Sequence, residues 1–486
     1  ESLQFFDPQL PVLDFPAWDC LPYDRVSPNA EISARRLSTL AYLANGGIEG
    51  RLVVLTTLNA LTQKIPSAQV IAQSSFVASV GRQIHEEKLR QFLVTMGFTK
   101  AATVIEPGDF AIRGGIIDIY APGHPHPVRL DLFGDVLDGA RYFDPETQRS
   151  LKSIDEIRLA PVSEVILSET AITRFRQNYR IEFGSAGQDD PLYEAVSAGR
   201  KHQGMEHWLP FFHDGLSSLL DYMPTASVVL DHQSDAALEA RWEQVQDQFG
   251  TRQHALDQKL VAGTVYKPIA PDQLYLSPDA LNAQMQGHRV LRLDPFAMAS
   301  GPEVIDKGAK IGRNFAAERQ NQEVNLFAVL ADFVRDRAKS KPVVLASYST
   351  GARERLQALL SDEGVSSGPL VSHADEIQGK GVYFALWPLD QGFETKDLCV
   401  ICEQDILGDR LIRKPTKRRK AENFLTETQS LSAGDLVVHV DHGIGRYQGM
   451  EVVKAAGVAH ECLLLEYAEG ARLYLPVENI ELLSKY

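Results

Sequence analysis

The chain has 486 residues, roughly three times the usual size of one domain, so several domains are expected. Hydrophobic residues make up 44% and charged residues 23%, with Gly (35) and Pro (25) near ordinary usage, which excludes collagenous and low-complexity chains. The net charge of −15 argues against a chain wrapped uniformly around nucleic acid, and no run reaches the roughly 18 apolar residues that span a bilayer.

The opening segment, ESLQFFDPQLPVLDFP, is acidic and interrupted by prolines rather than basic and then apolar, so a secretory leader is not expected. It begins at Glu1 rather than Met, which suggests a piece of a longer parent. Residues 1–74 alternate strand-like and helical runs. In ISARRLSTLAYL, residues Ile32, Leu37, Leu40, Tyr42 and Leu43 fall at roughly helical spacing, and Leu52 to Leu55 read as a buried strand. That wiring predicts a parallel sheet covered by helices. Residues 75–160 read differently, as an α+β insertion. A helix in GRQIHEEKLRQFLVTMGF is capped by Gly97, and three strand candidates follow, DFAIRGGIIDIYAP, HPVRLDLFGD and GARYFDP. Mixed helix and strand returns over 161–295, and a second small αβα domain is expected over 300–410. A charged linker spans 411–432. Short strands between glycine-containing turns over 433–486 predict a small β-barrel or roll. The fold class is therefore α/β and multidomain.

The motifs exclude several chemistries. No G-x-x-x-x-G-K-[ST] phosphate loop, no H-E-x-x-H and no G-x-S-x-G elbow occurs, so no catalysis and no catalytic residue is expected from this chain. Four cysteines (Cys20, Cys399, Cys402, Cys462) make no disulfide framework, which fits a reducing cytosol. Cys399 and Cys402 have C-x-x-C spacing, but on a strand residues three apart point to opposite faces, so a core strand is favoured over a metal site. His202, His207 and His213 are five and six apart, a spacing that fits no ligand pair, and they read as a packed segment. Gly443-Ile-Gly445-Arg-Tyr-Gln-Gly449 runs into a strand rather than a helix, so tight turns explain it better than a dinucleotide site. Six cations between Arg413 and Lys420 read as a solvated linker, with contact to DNA phosphate as the alternative. No metal or cofactor is expected.

The most informative pattern is HPVRLDLFGD. Alternation puts Val128, Leu130 and Leu132 on one face and Arg129, Asp131 and Phe133 on the other. An aromatic flanked by Arg on a polar face has the composition of an interface hot spot, although lone exposed aromatics are common, so the residues alone leave both readings open. Arg113, on the neighbouring candidate strand, could join that surface.

Five segments, 13–40 (LDFPAWDCLPYDRVSPNAEISARRLSTL), 108–123 (GDFAIRGGIIDIYAPG), 128–150 (VRLDLFGD onward), 205–212 (MEHWLPFF) and 434–453 (GDLVVHVDHGIGRYQGMEVV), together resemble bacterial transcription-repair coupling factors, the Mfd family. The resemblance implies a UvrB-like, degenerate RecA/helicase-type module up to about 295, interrupted by a UvrA-binding domain at 75–160. It implies UvrA contacts at Arg113, Arg129 and Phe133. It also implies that 433–486 is a CarD-like, Tudor-like domain gripping the RNA polymerase β subunit through Val453, with Glu451 on the same strand face and Val452 pointing inward. The function so implied is to hold stalled RNA polymerase and recruit UvrA for nucleotide excision repair in the bacterial cytoplasm, near the nucleoid and without a membrane. The resemblance further implies that ATP, Mg²⁺ and most double-stranded DNA contacts belong to translocase domains that lie outside this sequence. The competing readings are a UvrB-like damaged-DNA-binding helicase subunit and a free-standing CarD-type transcription regulator, which would leave some 400 residues without a role.

Overall fold

The computed structural model describes the chain except residues 47–49, 185–189, 258–265, 297, 300, 322, 367, 409–433, 435, 440–442, 456–457, 468–470, 477–482 and 486, and gives backbone only for 438–439, 451–455, 458–462, 476 and 483–485. The chain divides into two compact units, Glu1–Gly308 with Ser372–Glu376, and Ala309–Val371 with Ile377–Tyr486. Both are mixed α/β.

In the first unit, strands Val12–Phe15 and Val53–Thr56 pair in parallel, Phe15 opposite Thr56. Helix Ala30–Ala44 starts where the Asn29 side chain accepts a hydrogen bond from the Glu31 amide, satisfying one of the free first-turn donors. Its Ala34, Leu37, Leu40 and Leu43 are buried at three-residue spacing, with Arg36 and Thr39 four before Leu40 and Leu43. Tyr42 departs from the expectation: it sits off that stripe and is exposed. Val53–Thr56 also differs from a buried strand, with Leu55 exposed, because it pairs along one edge only among the described residues. A second parallel pair, Ser227–Asp231 with Arg289–Leu293, shares the same core through Phe15, Leu37, Leu230 and Leu281. A neighbouring core is unusually aromatic, joining Tyr23, Phe175, Tyr179, Phe211, Phe212 and Tyr275.

Arg36 is fully buried on the Ala30–Ala44 helix. Its Nε donates to Glu164 Oε1 at 2.6 Å, its Nη1 donates to the Pro16 carbonyl at 2.9 Å, and its guanidinium carbon lies 4.2 Å from the Phe15 ring centre. Trp18 Nε1 donates to the same Glu164 oxygen at 3.3 Å. The Glu164 backbone carbonyl is bonded by His213 Nε2 at 3.0 Å. Buried ions persist only when paired in this way. His207, in the 3₁₀ segment Met205–Phe211, packs edge-on to Trp18. Among the described residues no group of three or more His, Cys, Asp or Glu could hold a metal ion.

A further part of the first unit opens with strand Phe76–Ser79 and closes with Glu156–Leu159, which pair antiparallel. Between them a six-stranded sheet runs in the spatial order Ser150–Ile154, Val136–Phe143, Val128–Phe133, Ile116–Ile119, Asp109–Arg113, Thr99–Lys100. Helix Glu86–Thr95 inserts Leu89 and Leu93 into its core, and Gly97, with φ +92°, ends that helix's turn. The DFAIRGGIIDIYAP segment is two strands rather than one, folded back at Gly114, whose φ of +61° suits glycine. Arg113 consequently lies two strands from Phe133, not on the adjacent one.

In the second unit the central strand Pro342–Ser347 pairs in parallel with both Gly381–Leu386 and Cys399–Cys402, flanked by helices Leu326–Ala338 and Thr350–Asp362. Cys399 and Cys402 are free, buried strand residues. Burial pushes both thiols up to about 11, away from metal-binding thiolates. A separate five-stranded antiparallel sheet follows in the order Arg472–Pro476, Val458–Glu466, Gly443–Ala455, Leu436–His439, Leu483–Lys485. The glycine-rich string lies inside the Gly443–Ala455 strand rather than in turns, with the register shifting between Tyr447 and Gly449. No described helix is long and apolar enough to cross a membrane.

Candidate protein-docking surface on the six-stranded sheet

Cross-strand register sorts the sheet's residues into two faces. Phe110, Ile117, Ile119, Val128, Leu130, Leu137 and Ala140 belong to the core on the helix side. On the other face, Asp118 lies opposite Arg129, which lies opposite Arg141, and Ile116 lies opposite both Arg113 and Asp131. The alternation expected for VRLDLF is present, with Arg129, Asp131 and Phe133 turned away from the core residues Val128 and Leu130.

Arg129 is held rather than free. Its Nε and Nη2 donate to the two Asp118 oxygens at 2.7 and 2.9 Å, its Nη1 reaches the Gln148 carbonyl at 3.4 Å, and its guanidinium carbon lies 4.6 Å from the Phe143 ring centre. The side chains are 16% and 4% exposed, so this fork sits in a mostly desolvated place. Hydrogen bonding to Asp118 raises the guanidinium pKa further. Asp131 is neutralised by Arg141 on the next strand. Arg113, exposed at its strand end, donates from Nη2 to the Ala102 carbonyl and has no carboxylate partner within ion-pair distance among the described residues.

Phe133 is 83% exposed, the most exposed large apolar residue described. It pairs with Val136 across the turn at Gly134, where φ is +61°. The turn at Gly114–Gly115 packs alongside: Leu132 donates its amide to the Gly115 carbonyl at 2.7 Å, and a Cβ on Gly115 would stand 2.7 Å from the Leu132 carbonyl oxygen. A side chain there would drive the two hairpin ends apart. The structure thus brings Phe133 and Arg113 to one end of the sheet, with Arg129 farther along the same face. Ile116 (39% exposed) and Val136 (38%) join Phe133 at that end. Sequence reasoning did not single these two out. Their signal was the cross-strand register, which needs the Gly114–Gly115 hairpin to be recognised first.

Of the residues expected on the 433–486 sheet, Glu451 lies opposite Cys462 and Val453 opposite His460 by backbone register. Their side chains lie outside the described residues, as does the basic segment 411–432.

Three family profiles match the chain in series: a UvrB interaction domain over residues 77–164, an MFD D3 domain over 336–406, and a CarD-like/TRCF RID domain over 431–486. The sheet described above lies in the first of these. Transcription-repair-coupling factors are similar along nearly the whole of this chain. That of Rickettsia bellii is 30% identical over 99% of this chain and 42% of its own length. That of Escherichia coli is 31% identical over 100% of this chain and 41% of its own, and that of Bacillus subtilis 27% identical over 98% and 40%. The chain spans about two fifths of the length of the curated relatives it matches. Three domain matches in one order and similarity along the whole of this chain are what it shares with the transcription-repair-coupling factors.

Proposed function

We propose that this chain works as an adaptor in transcription-coupled repair, holding stalled RNA polymerase with its 433–486 sheet and recruiting UvrA with the 75–160 insertion. The observation that carries the reading is an almost fully exposed Phe133 at the end of a well-packed sheet, inside the stretch matching a UvrB interaction domain. An aromatic ring of that exposure gains little in the free chain and much in a partner's pocket. The UvrA contacts are Arg113, Arg129 and Phe133, and the polymerase contacts are Val453 and Glu451.

The finer architecture belongs to the same proposal. Residues 1–74 and 161–295 form a degenerate RecA-type, UvrB-like module around the insertion, 300–410 is a small αβα domain, 411–432 is a basic linker, and 433–486 is a CarD/Tudor-like barrel. Chemistry of ATP and Mg²⁺, and most of the grip on duplex DNA, falls to the motor domains of the whole protein. This chain contributes binding only, and its setting is the bacterial cytoplasm.

Biolayer interferometry tests the reading with the chain immobilised against UvrA and, separately, the polymerase β lobe. Binding to both is expected, with Arg129→Ala weakening only UvrA and Val453→Arg only polymerase. Binding to neither, or steady ATP turnover by the purified chain, would sink it.

A further inference from the structure

We infer that Ile116 and Val136 complete the partner-binding element with Phe133, making a three-strand apolar anchor that seats in an apolar cleft rimmed by a carboxylate. This rests on the reading of the insertion as the UvrA site and specifies what on each side makes the contact.

The three residues come from three consecutive neighbours in the sheet. Phe133 and Val136 are a directly opposed cross-strand pair. Ile116 is opposite Asp131, the residue two before Phe133, so all three side chains leave the same face. Their exposures of 83%, 38% and 39% contrast with the buried residues on the opposite face. Side chains two rows along the strands are already satisfied by one another, Arg129 by Asp118 and Asp131 by Arg141. Unspent interaction capacity is therefore concentrated at the hairpin ends.

Charge selects the occupant. With Asp118 and Asp131 paired internally, Arg113 is the same-face cation that bonds a backbone carbonyl and, among the described residues, no carboxylate, beside Ile116 in the register. A partner that buries Phe133, Ile116 and Val136 brings its own surface against that guanidinium, and a carboxylate placed there would satisfy it. A second copy of this chain offers the same Arg113 in return and would set like charges together. The surface fits an apolar cleft with an acidic rim on a different protein, UvrA.

The test titrates purified UvrA against the full 486-residue chain, as wild type, Phe133→Ala, Arg113→Gln and the double variant Ile116→Thr/Val136→Thr. Threonine keeps the branched Cβ that suits a strand while a hydroxyl replaces a methyl of Val136 and the ethyl group of Ile116, and both sites are exposed, so the fold is retained. The double variant should bind about tenfold more weakly or worse, with an unchanged thermal melt and an unchanged salt dependence. Arg113→Gln should instead flatten the salt dependence. Wild-type affinity in the double variant, with Phe133→Ala defective, would overturn the anchor and leave the UvrA reading standing. Failure of the wild-type chain to bind UvrA would overturn both. A wild-type chain that dimerises in sedimentation, with the double variant monomeric, would assign the face to a second copy and overturn the inference.

Discussion

Replacing Glu164 with alanine should strip Arg36 of its counter-charge in a place with no water to substitute. The two side chains are 3% and 0% exposed and meet at 2.6 Å. At an effective dielectric near 20, charges about 4 Å apart attract by about 4 kcal/mol, and removing one partner of a buried pair typically costs about 3–5 kcal/mol. The Pro16 carbonyl and the Phe15 ring soften this only in part, because neither carries a full negative charge. Amide hydrogen exchange of the Ala30–Ala44 helix reads the loss locally, which matters in a chain of several cores where no single unfolding transition exists. Exchange of its central amides should accelerate by about a hundredfold or more, at about 1.4 kcal/mol per decade. The double variant Arg36→Met/Glu164→Leu should recover most of that protection, since it removes both ions together. Acceleration below tenfold in Glu164→Ala, or a double variant as exposed as the single, would refute the idea that an unpaired buried charge is what costs.

Three further expectations concern separate places. Phe133→Ala should cost about 2 kcal/mol of UvrA affinity by calorimetry, yet leave the melting temperature in place because the ring is mostly in solvent. Asp118→Ala should destabilise the insertion by about 3 kcal/mol, since Arg129 is left largely desolvated without its forked partner; thermal melts of the chain would register it. His207 should make the first unit acid-sensitive. Burial pushes its pKa from 6.5 down to about 4, so between those values the unfolded chain takes up a proton that the folded one refuses. Its contribution is complete above about pH 6.5 and lost as pH falls to about 4, on the order of 3 kcal/mol. Urea titrations at pH 7 and 4.5 should show His207→Gln losing less stability on acidification than the wild type.

Strand alternation was enough to place Phe133 and Arg129 on one face, because a half-buried strand writes its environment with period two. It could not show that Arg129 is occupied, since Asp118 is eleven residues away and reaches it only through register. The Gly114–Gly115 pair sits among apolar residues on both sides, so the string reads as one strand until the backbone is seen to reverse. Arg36 was legible in principle: it falls four and seven residues before Leu40 and Leu43, on the buried stripe. Its partner is 128 positions distant, beyond any local pattern. Tyr42 lies five residues after Leu37 and two after Leu40, off the buried stripe of its helix, and so faces solvent. Nothing in the local pattern of Glu451, Val452 and Val453 marks a contact, and only the family resemblance points to them.

The pairing of Phe76–Ser79 with Glu156–Leu159, residue for residue from Ser79–Glu156 to Phe76–Leu159, has a consequence for how such a protein can be remade. The chain leaves the first unit's body and returns to it at almost one point, and the stretch between touches that body again where Gly123 lies against Ser38 and where Lys201 Nζ donates to the Gly97 carbonyl. Loop-closure entropy grows only with the logarithm of length, about 0.6 kcal/mol per doubling. The length of what is carried there therefore matters little to the host, and the stretch, with its ends already side by side, can be lifted out or permuted once those two contacts with the body are rebuilt.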